Sequence, residues 1–248
     1  MDKKTDKIIF LLEIIVILLM ILVLHFAWSI VKIVSVFVLF CLLAIVIINI
    51  VRTIDLKIFR DRLFALRSYT PIPFLLAMII FAQPTSMTMA IGFVVAAAGE
   101  CIRFWGVAYA GSLTRVTGSV GAREVIVAGP FSHVRNPLYV GNMLTYVGIG
   151  IMSNARFPWL ILGAAVWFGF QYYQIVILEE SFLEKEFGAT YLEFKSHVPR
   201  FIPSLSAYVN PVQSKQLPNW KEATNSERRT FQAISIVFVI LIVLWYAR

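Results

Sequence analysis

Charge is scarce in this sequence. Only 15% of its 248 residues are Asp, Glu, Lys or Arg, 59% are hydrophobic, and the mean hydropathy is +0.80. A soluble domain carries about a quarter charged residues, so a water-soluble globular enzyme is excluded. Cysteine is scarce too. Cys41 and Cys101 both lie inside apolar runs and read as small buried hydrophobes, not as a disulfide or a metal set. Acids number 14 against 22 bases, for a net charge of +8. In a membrane protein such an excess gathers in cytoplasmic loops and sets topology, so it points to no nucleic-acid partner. The three histidines, His25, His133 and His197, show no metal-ligand spacing. No Gly-x-Ser-x-Gly element or Cys/His pair supports nucleophilic catalysis, and no dinucleotide or phosphate-loop fingerprint occurs. A cleavable signal peptide is not expected: Lys3, Lys4 and Lys7 precede an apolar run that is too long and lacks a small-residue cleavage site.

What is present is a series of long apolar runs. In lipid every backbone polar group needs an internal partner, and unbroken runs select helices over a barrel. The expected fold class is therefore all-α: a polytopic helical membrane protein with about seven transmembrane helices and its polar clusters at the cytoplasmic face. The spans are expected at roughly 8–28, 32–51, 71–83, 87–110, 137–153, 157–181 and 230–247. Gln83-Pro84-Thr85-Ser86 and Asn154-Ala155-Arg156 supply tight turns. With the N-terminus inside, all but Lys32, Arg103, Arg156 and Arg248 of the 22 basic residues fall on the inner side, a decisive bias. Residues 1–70 read as two N-terminal spans plus a basic amphipathic segment from 52. Residues 71–203 read as the core, and 204–248 as a polar linker with a last span. The setting is a bacterial inner membrane or endoplasmic reticulum, with the lipid bilayer as partner and no obligate protein partner evident.

Polar residues concentrate in a few places. Gly99, Arg103 and Gly106 share one helix face, where small residues permit close helix packing. Glu100 and Arg103 stand at i, i+3. They either pair with each other or serve a site, since ionisable groups at membrane depth are functional candidates. The loop 111–136 is glycine-rich, and its run Arg123-Glu124-Val125-Ile126-Val127 reads as extended, able to offer backbone groups to an adenine edge. Pro137 suits a first helical turn, and Asn136 before it can cap that helix. The exposed N–H groups of this turn suit a carboxylate, as does the Arg135 fork. Glu179 and Glu180 are placed at the end of the sixth span, adjacent and against the helix dipole. They read either as a solvated acidic face or as a site for the hydroxyls of a ribose.

These pieces resemble the isoprenylcysteine carboxyl methyltransferase family, part of the broader phospholipid-methyltransferase-like group. The resemblance rests on Gly99-Glu100-x-x-Arg103, Ala110-Gly111-Ser112, Gly129-Pro130-Phe131 through Arg135-Asn136-Pro137-Leu138-Tyr139-Val140-Gly141, Glu179-Glu180, Phe187-Gly188-x-x-Tyr191-Leu192-x-Phe194 and Val198-Pro199-Arg200-Phe201. It implies S-adenosyl-L-methionine as cofactor, held in a pocket at the cytoplasmic face, methyl transfer to O or N, and a lipidic or small acceptor entering from the bilayer. It implies cofactor contacts from Arg123, Glu124, Val125, Ile126, Phe131, Asn136, Pro137, Leu138, Tyr139 and Glu179, with Val198 to Arg200 covering the pocket. Arg135 would orient a substrate or cofactor carboxylate. Glu180, or His133, would take a proton from an amine or phenol. Asn136 stands where the family usually has His. Ile175 stands where eukaryotic members carry the arginine that meets a prenylcysteine carboxylate. The alternative is an NAD(P)H-dependent sterol-type reductase, which shares a similar core but has Glu where this chain has Asn142.

Overall fold

The computed structural model describes residues 14–19, 56–111, 122 and 124–247. The expected spans at 8–28 and 32–51 lie outside the described residues except for the helical stretch 14–19, and Arg123 lies outside them as well. Among the described residues the fold is all helical. Helix α1 is Leu56–Leu66, α2 Pro71–Ile80, α3 Ser86–Ala110, α4 Pro137–Ser153, α5 Trp159–Phe187, α6 Ala189–His197 and α7 Trp220–Tyr246. Single 3-10 turns form at Gly129–Ser132 and Pro211–Lys215. By length and composition α3, α5 and α7 can each cross a membrane. The bent pair α1–α2, angled at 50°, adds a fourth crossing if read as one broken span.

Local chemistry sets most boundaries. Thr85 caps α3 by accepting from Thr88 N at 3.2 Å, and Thr88 Oγ accepts from Thr85 N at 2.9 Å, a reciprocal capping box. Pro137 opens α4. Asn154 closes it in the left-handed region, with φ 49°, a role for which Asn is suited. The two turns at this end are tied together: Gln83 N donates to Ser153 O at 2.7 Å and Asn154 Nδ2 donates to Gln83 O at 2.9 Å.

Two helices run past their expected ends. The span expected to stop near 181 continues to Phe187, because Ser181 to Phe187 are adequate helix formers and the first stop signal is Gly188. At 1.5 Å per residue α5 is about 43 Å long, against about 30 Å of hydrocarbon. Glu179 and Glu180 therefore sit two turns inside the helix, not at its end. The stretch 204–229, expected to be a polar linker, also holds helix. Asn219 caps α7 by accepting from Glu222 N at 3.0 Å, ten residues before the apolar run begins. Hydropathy reports where a segment leaves lipid, not where its helix stops.

The seam between α3 and α4 is the closest packing in the core. Gly92 and Gly99 on α3 face Gly148 and Gly141 on α4 at matching seven-residue spacing. A Cβ on Gly99 would lie 2.6 Å from the Gly141 carbonyl oxygen and from Thr145 N. One on Gly92 would lie 2.5 Å from Gly148 O and from Met152 N. Absent side chains let two backbones touch, as in small-xxx-small membrane contacts. The obstructing atoms are backbone and cannot swing away. Gly99→Leu is expected to lower the melting temperature in detergent, with a cost of roughly 1–3 kcal/mol or more from overpacking. Cys101→Leu, whose side chain is exposed on the same helix, is expected to leave it near wild type.

Candidate active site

The residues singled out by sequence meet where α4 begins. The chain enters through Gly129, whose φ of +60° is open to glycine and whose missing Cβ leaves room for the Tyr109 ring. Ser132 Oγ donates back to Gly129 O at 2.7 Å, closing the turn. His133 Nδ1 donates to Ser204 O at 2.8 Å, the carbonyl fixing which nitrogen carries the proton.

Arg135 then uses its whole fork. Nε donates to Glu180 Oε1 at 3.1 Å and Nη2 meets the same oxygen at 3.0 Å. Nη1 donates to Lys195 O at 2.8 Å and Val198 O at 2.5 Å, and the backbone N–H to Pro199 O at 2.8 Å. Glu180, 4% exposed, also accepts from Arg200 through Nη2 at 2.6 Å and Nε at 3.1 Å. That hydrogen bond holds the Arg200 guanidinium above its usual pKa. Arg135 and Glu180 thus form a clamp joining α4, α5 and the segment 195–200. Neither shows the open valence expected of a group that handles substrate.

Asn136 occupies the cap position of α4 but makes no side-chain cap bond. Its Nδ2 donates to Arg200 O at 3.1 Å instead. The capping expectation fails: with Nδ2 turned to the Arg200 carbonyl, Oδ1 meets no first-turn N–H. Tyr139, one turn on, donates to Glu179 Oε1 at 2.8 Å and lies 4.7 Å from the Tyr172 ring. Leu138 turns the other way, packing with Val107, Ala108 and Ala223 between α3 and α7. Successive helical residues point about 100° apart, so the run 136–139 serves more than one surface. Phe131 packs with Val125, Tyr191, Phe194 and Val198, and burial there pushes the Tyr191 phenol well above its usual range.

The extended run is covered from outside. Gln216, itself buried, donates through Nε2 to Val125 O at 2.8 Å and Glu124 Oε2 at 3.2 Å. Its Oε1 accepts from Val127 N at 2.9 Å and Ala128 N at 3.2 Å. Gln213 Nε2 donates to Val127 O at 2.8 Å. Two glutamines of the expected linker therefore hold backbone groups of Val125, Val127 and Ala128, the first of them in the run expected at a cofactor. Nothing local marks them, since their partners are 86 to 92 residues away.

A second polar group lies deeper. Arg103 Nη2 donates to Glu227 Oε2 at 2.6 Å, Nη1 donates to Asn142 Oδ1, and Nε lies 3.4 Å from Glu100 Oε2. Glu227, 1% exposed, was missed because it fell in the stretch taken as linker. Ile175 is fully buried in the main apolar core, so the position that holds an arginine in eukaryotic relatives carries no charge. Among the described residues no group of three His, Cys, Asp or Glu could hold a metal ion.

Residues 87–190 match the phospholipid methyltransferase family. Over 84 residues the chain is 33% identical to the cobalt-zinc-cadmium resistance protein CzcN of Cupriavidus metallidurans. Over 85 residues it is 32% identical to the nickel-cobalt-cadmium resistance protein NccN of Alcaligenes xylosoxydans xylosoxydans. Each match covers 34% of this chain and 38% of the relative, so the chain spans well under half the length of either. No solved structure matches it significantly.

The clamp has a direct test. Arg135→Ala is expected to destabilise the chain by less than the about 3–5 kcal/mol of a fully stranded buried charge, because Arg200 still pairs with Glu180, and to speed amide hydrogen exchange over residues 195–205. Arg135→Lys keeps the charge without the planar fork and is expected to behave more like the alanine variant than like wild type. Wild-type exchange in Arg135→Ala would mean that the clamp does not hold the segment.

Proposed function

We propose, with residues 87–190 belonging to the phospholipid methyltransferase family, that this chain is an integral-membrane methyltransferase. It uses S-adenosyl-L-methionine and acts on a lipidic or small membrane-partitioning acceptor at the cytoplasmic face. The observation that carries the reading is the Tyr139–Glu179 pair inside the matched segment, beside Asn136 and the strap Val198–Arg200. The donor set suits the cofactor. Glu179 is half-buried and one of its oxygens is held by the Tyr139 hydroxyl, so the carboxylate is oriented to accept from ribose hydroxyls. Asn136, Tyr139 and Glu179 would hold the cofactor, with Phe131 and Val198 as apolar cover.

When bound, the cofactor supplies an electrophilic methyl group on a sulfonium. The protein's own tasks are to orient the acceptor and exclude water. The Arg135–Glu180–Arg200 clamp serves the second task by keeping 195–200 closed over the end of α4. It positions rather than reacts: the Glu180 oxygens are already taken by guanidinium donors. For an amine or phenol acceptor, His133 Nε2 is the remaining accepting nitrogen, because Nδ1 donates to Ser204 O. An apolar cavity of about 390 Å³ between α3 and α7, lined by Phe93, Ala97, Cys101, Phe231 and Phe238 with Glu100, is suited to an aliphatic chain and supports a lipidic acceptor. The buried Ile175 argues against recognition of a prenylcysteine carboxylate.

Calorimetric titration with S-adenosylhomocysteine in detergent tests the reading. Wild type is expected to bind saturably. Glu179→Ala is expected to abolish binding while the melting temperature is kept. Tyr139→Phe is expected to weaken it by the worth of one hydrogen bond, about 0.5–1.5 kcal/mol. Binding of NADPH alone would replace the methyltransferase with a reductase.

A further inference from the structure

The segment 200–219 is built inside out. Two of its polar side chains turn inward, Gln213 and Gln216, which bond the run 124–128, and at the surface Tyr208 OH donates to Glu193 Oε1 at 3.2 Å. Its backbone is pinned as well, with Ser204 N on His133 O and Tyr208 N on Ser132 O, each at 2.8 Å. Its aliphatic side chains point outward: Ile202 is 81% exposed, Leu205 103%, Val209 83% and Leu217 77%. A loop surrounded by water shows the opposite pattern. Clustered exposed aliphatics on an ordered, hydrogen-bonded scaffold mark a contact surface.

The anchors say what lies against it. One end is tied to the start of α4 through the Asn136–Arg200 bond at 3.1 Å. The other is tied to the end of α3 through Asn219 N on Ala108 O at 2.7 Å. Both tie points are ends of apolar helices in the segment that matches the phospholipid methyltransferase family, so the loop lies just beyond the ends of those helices, on the face where they leave the bilayer. Trp220 follows directly, partly exposed, with its ring 5.5 Å from Phe104 of α3, a typical interfacial placement for Trp. Lys215, Lys221, Arg228 and Arg229 are exposed on the same stretch of chain, a basic complement to anionic headgroups. We propose that residues 202–217 form an interfacial element seated in the headgroup layer of the bilayer, aliphatic side chains in the acyl boundary and basic residues on anionic lipid. The bilayer then backs the same segment whose inner face carries Arg200 and Gln216.

Leu205→Cys and Val209→Cys, each in a Cys41→Ser, Cys101→Ser background, can carry an environment-sensitive NBD label. The full chain is placed in nanodiscs of phosphatidylcholine alone or mixed with phosphatidylglycerol. Emission is expected to shift to the blue of the free cysteine adduct at both positions, and more so with phosphatidylglycerol. Nitroxide-bearing lipid is expected to quench it several-fold more than aqueous iodide. Strong iodide quenching without lipid quenching at both positions would overturn the proposal. A blue shift that appears only when two copies share a disc would overturn it in favour of an interface between copies.

Discussion

A single buried carboxylate ties this end of the molecule together. Glu180 receives Arg135 from the start of α4 and Arg200 from the segment beyond α6, while Arg135 also gathers the carbonyls of Lys195 and Val198. Without that carboxylate, two guanidinium groups would face each other in a partly desolvated space, and 195–200 would keep only its carbonyl contacts to Arg135 and Asn136, the Lys195–Glu184 pair and the packing of Val198. The closed end of the α4–α5 pair follows from this clamp, and so does the sheltered position of Tyr139 and Glu179 beside it. Charge here builds a wall beside the Tyr139–Glu179 pair.

A second constraint works deeper in the bundle. The glycine seam brings the backbones of α3 and α4 into contact, which sets Arg103 beside Asn142. Arg103 then reaches Glu227 on α7. Helix α7 lies outside the family-matched segment, yet a buried ion pair fixes it to the matched core, and the apolar cavity lies between α7 and α3. The chain thus adds its own wall to a shared core, at the place where an acceptor's aliphatic part would lie.

Much of this was legible in sequence, and what was not has physical causes. Pro137 and the turns at Gln83–Ser86 and Asn154–Arg156 are local signals, and the helix ends they mark follow from backbone chemistry alone. The far ends of α5 and the first turns of α7 were hidden because polar residues such as Glu184, Lys185, Lys221 and Glu222 signal exit from lipid while remaining good helix formers. Tyr139 and Glu179, two residues that the family resemblance singles out, bond each other. The partners of Arg135 and Asn136 were not legible: Arg135 and Arg200 together take up both oxygens of Glu180, and the Asn136 amide turns to the Arg200 carbonyl. Gln213, Gln216 and Glu227 act across long stretches of chain with no periodicity to betray them. Polar residues in a supposed linker become visible only when the fold shows what they cover.

Methyl transfer by this membrane core is read from the fate of the methyl group itself. The purified chain, in nanodiscs containing membrane lipid extract, would be incubated with S-adenosylmethionine tritiated in its methyl group. Tritium is expected in the organic-extractable fraction with wild type and not with Glu179→Ala. No transfer to any extract, together with no binding of the unlabelled cofactor, would contradict the account.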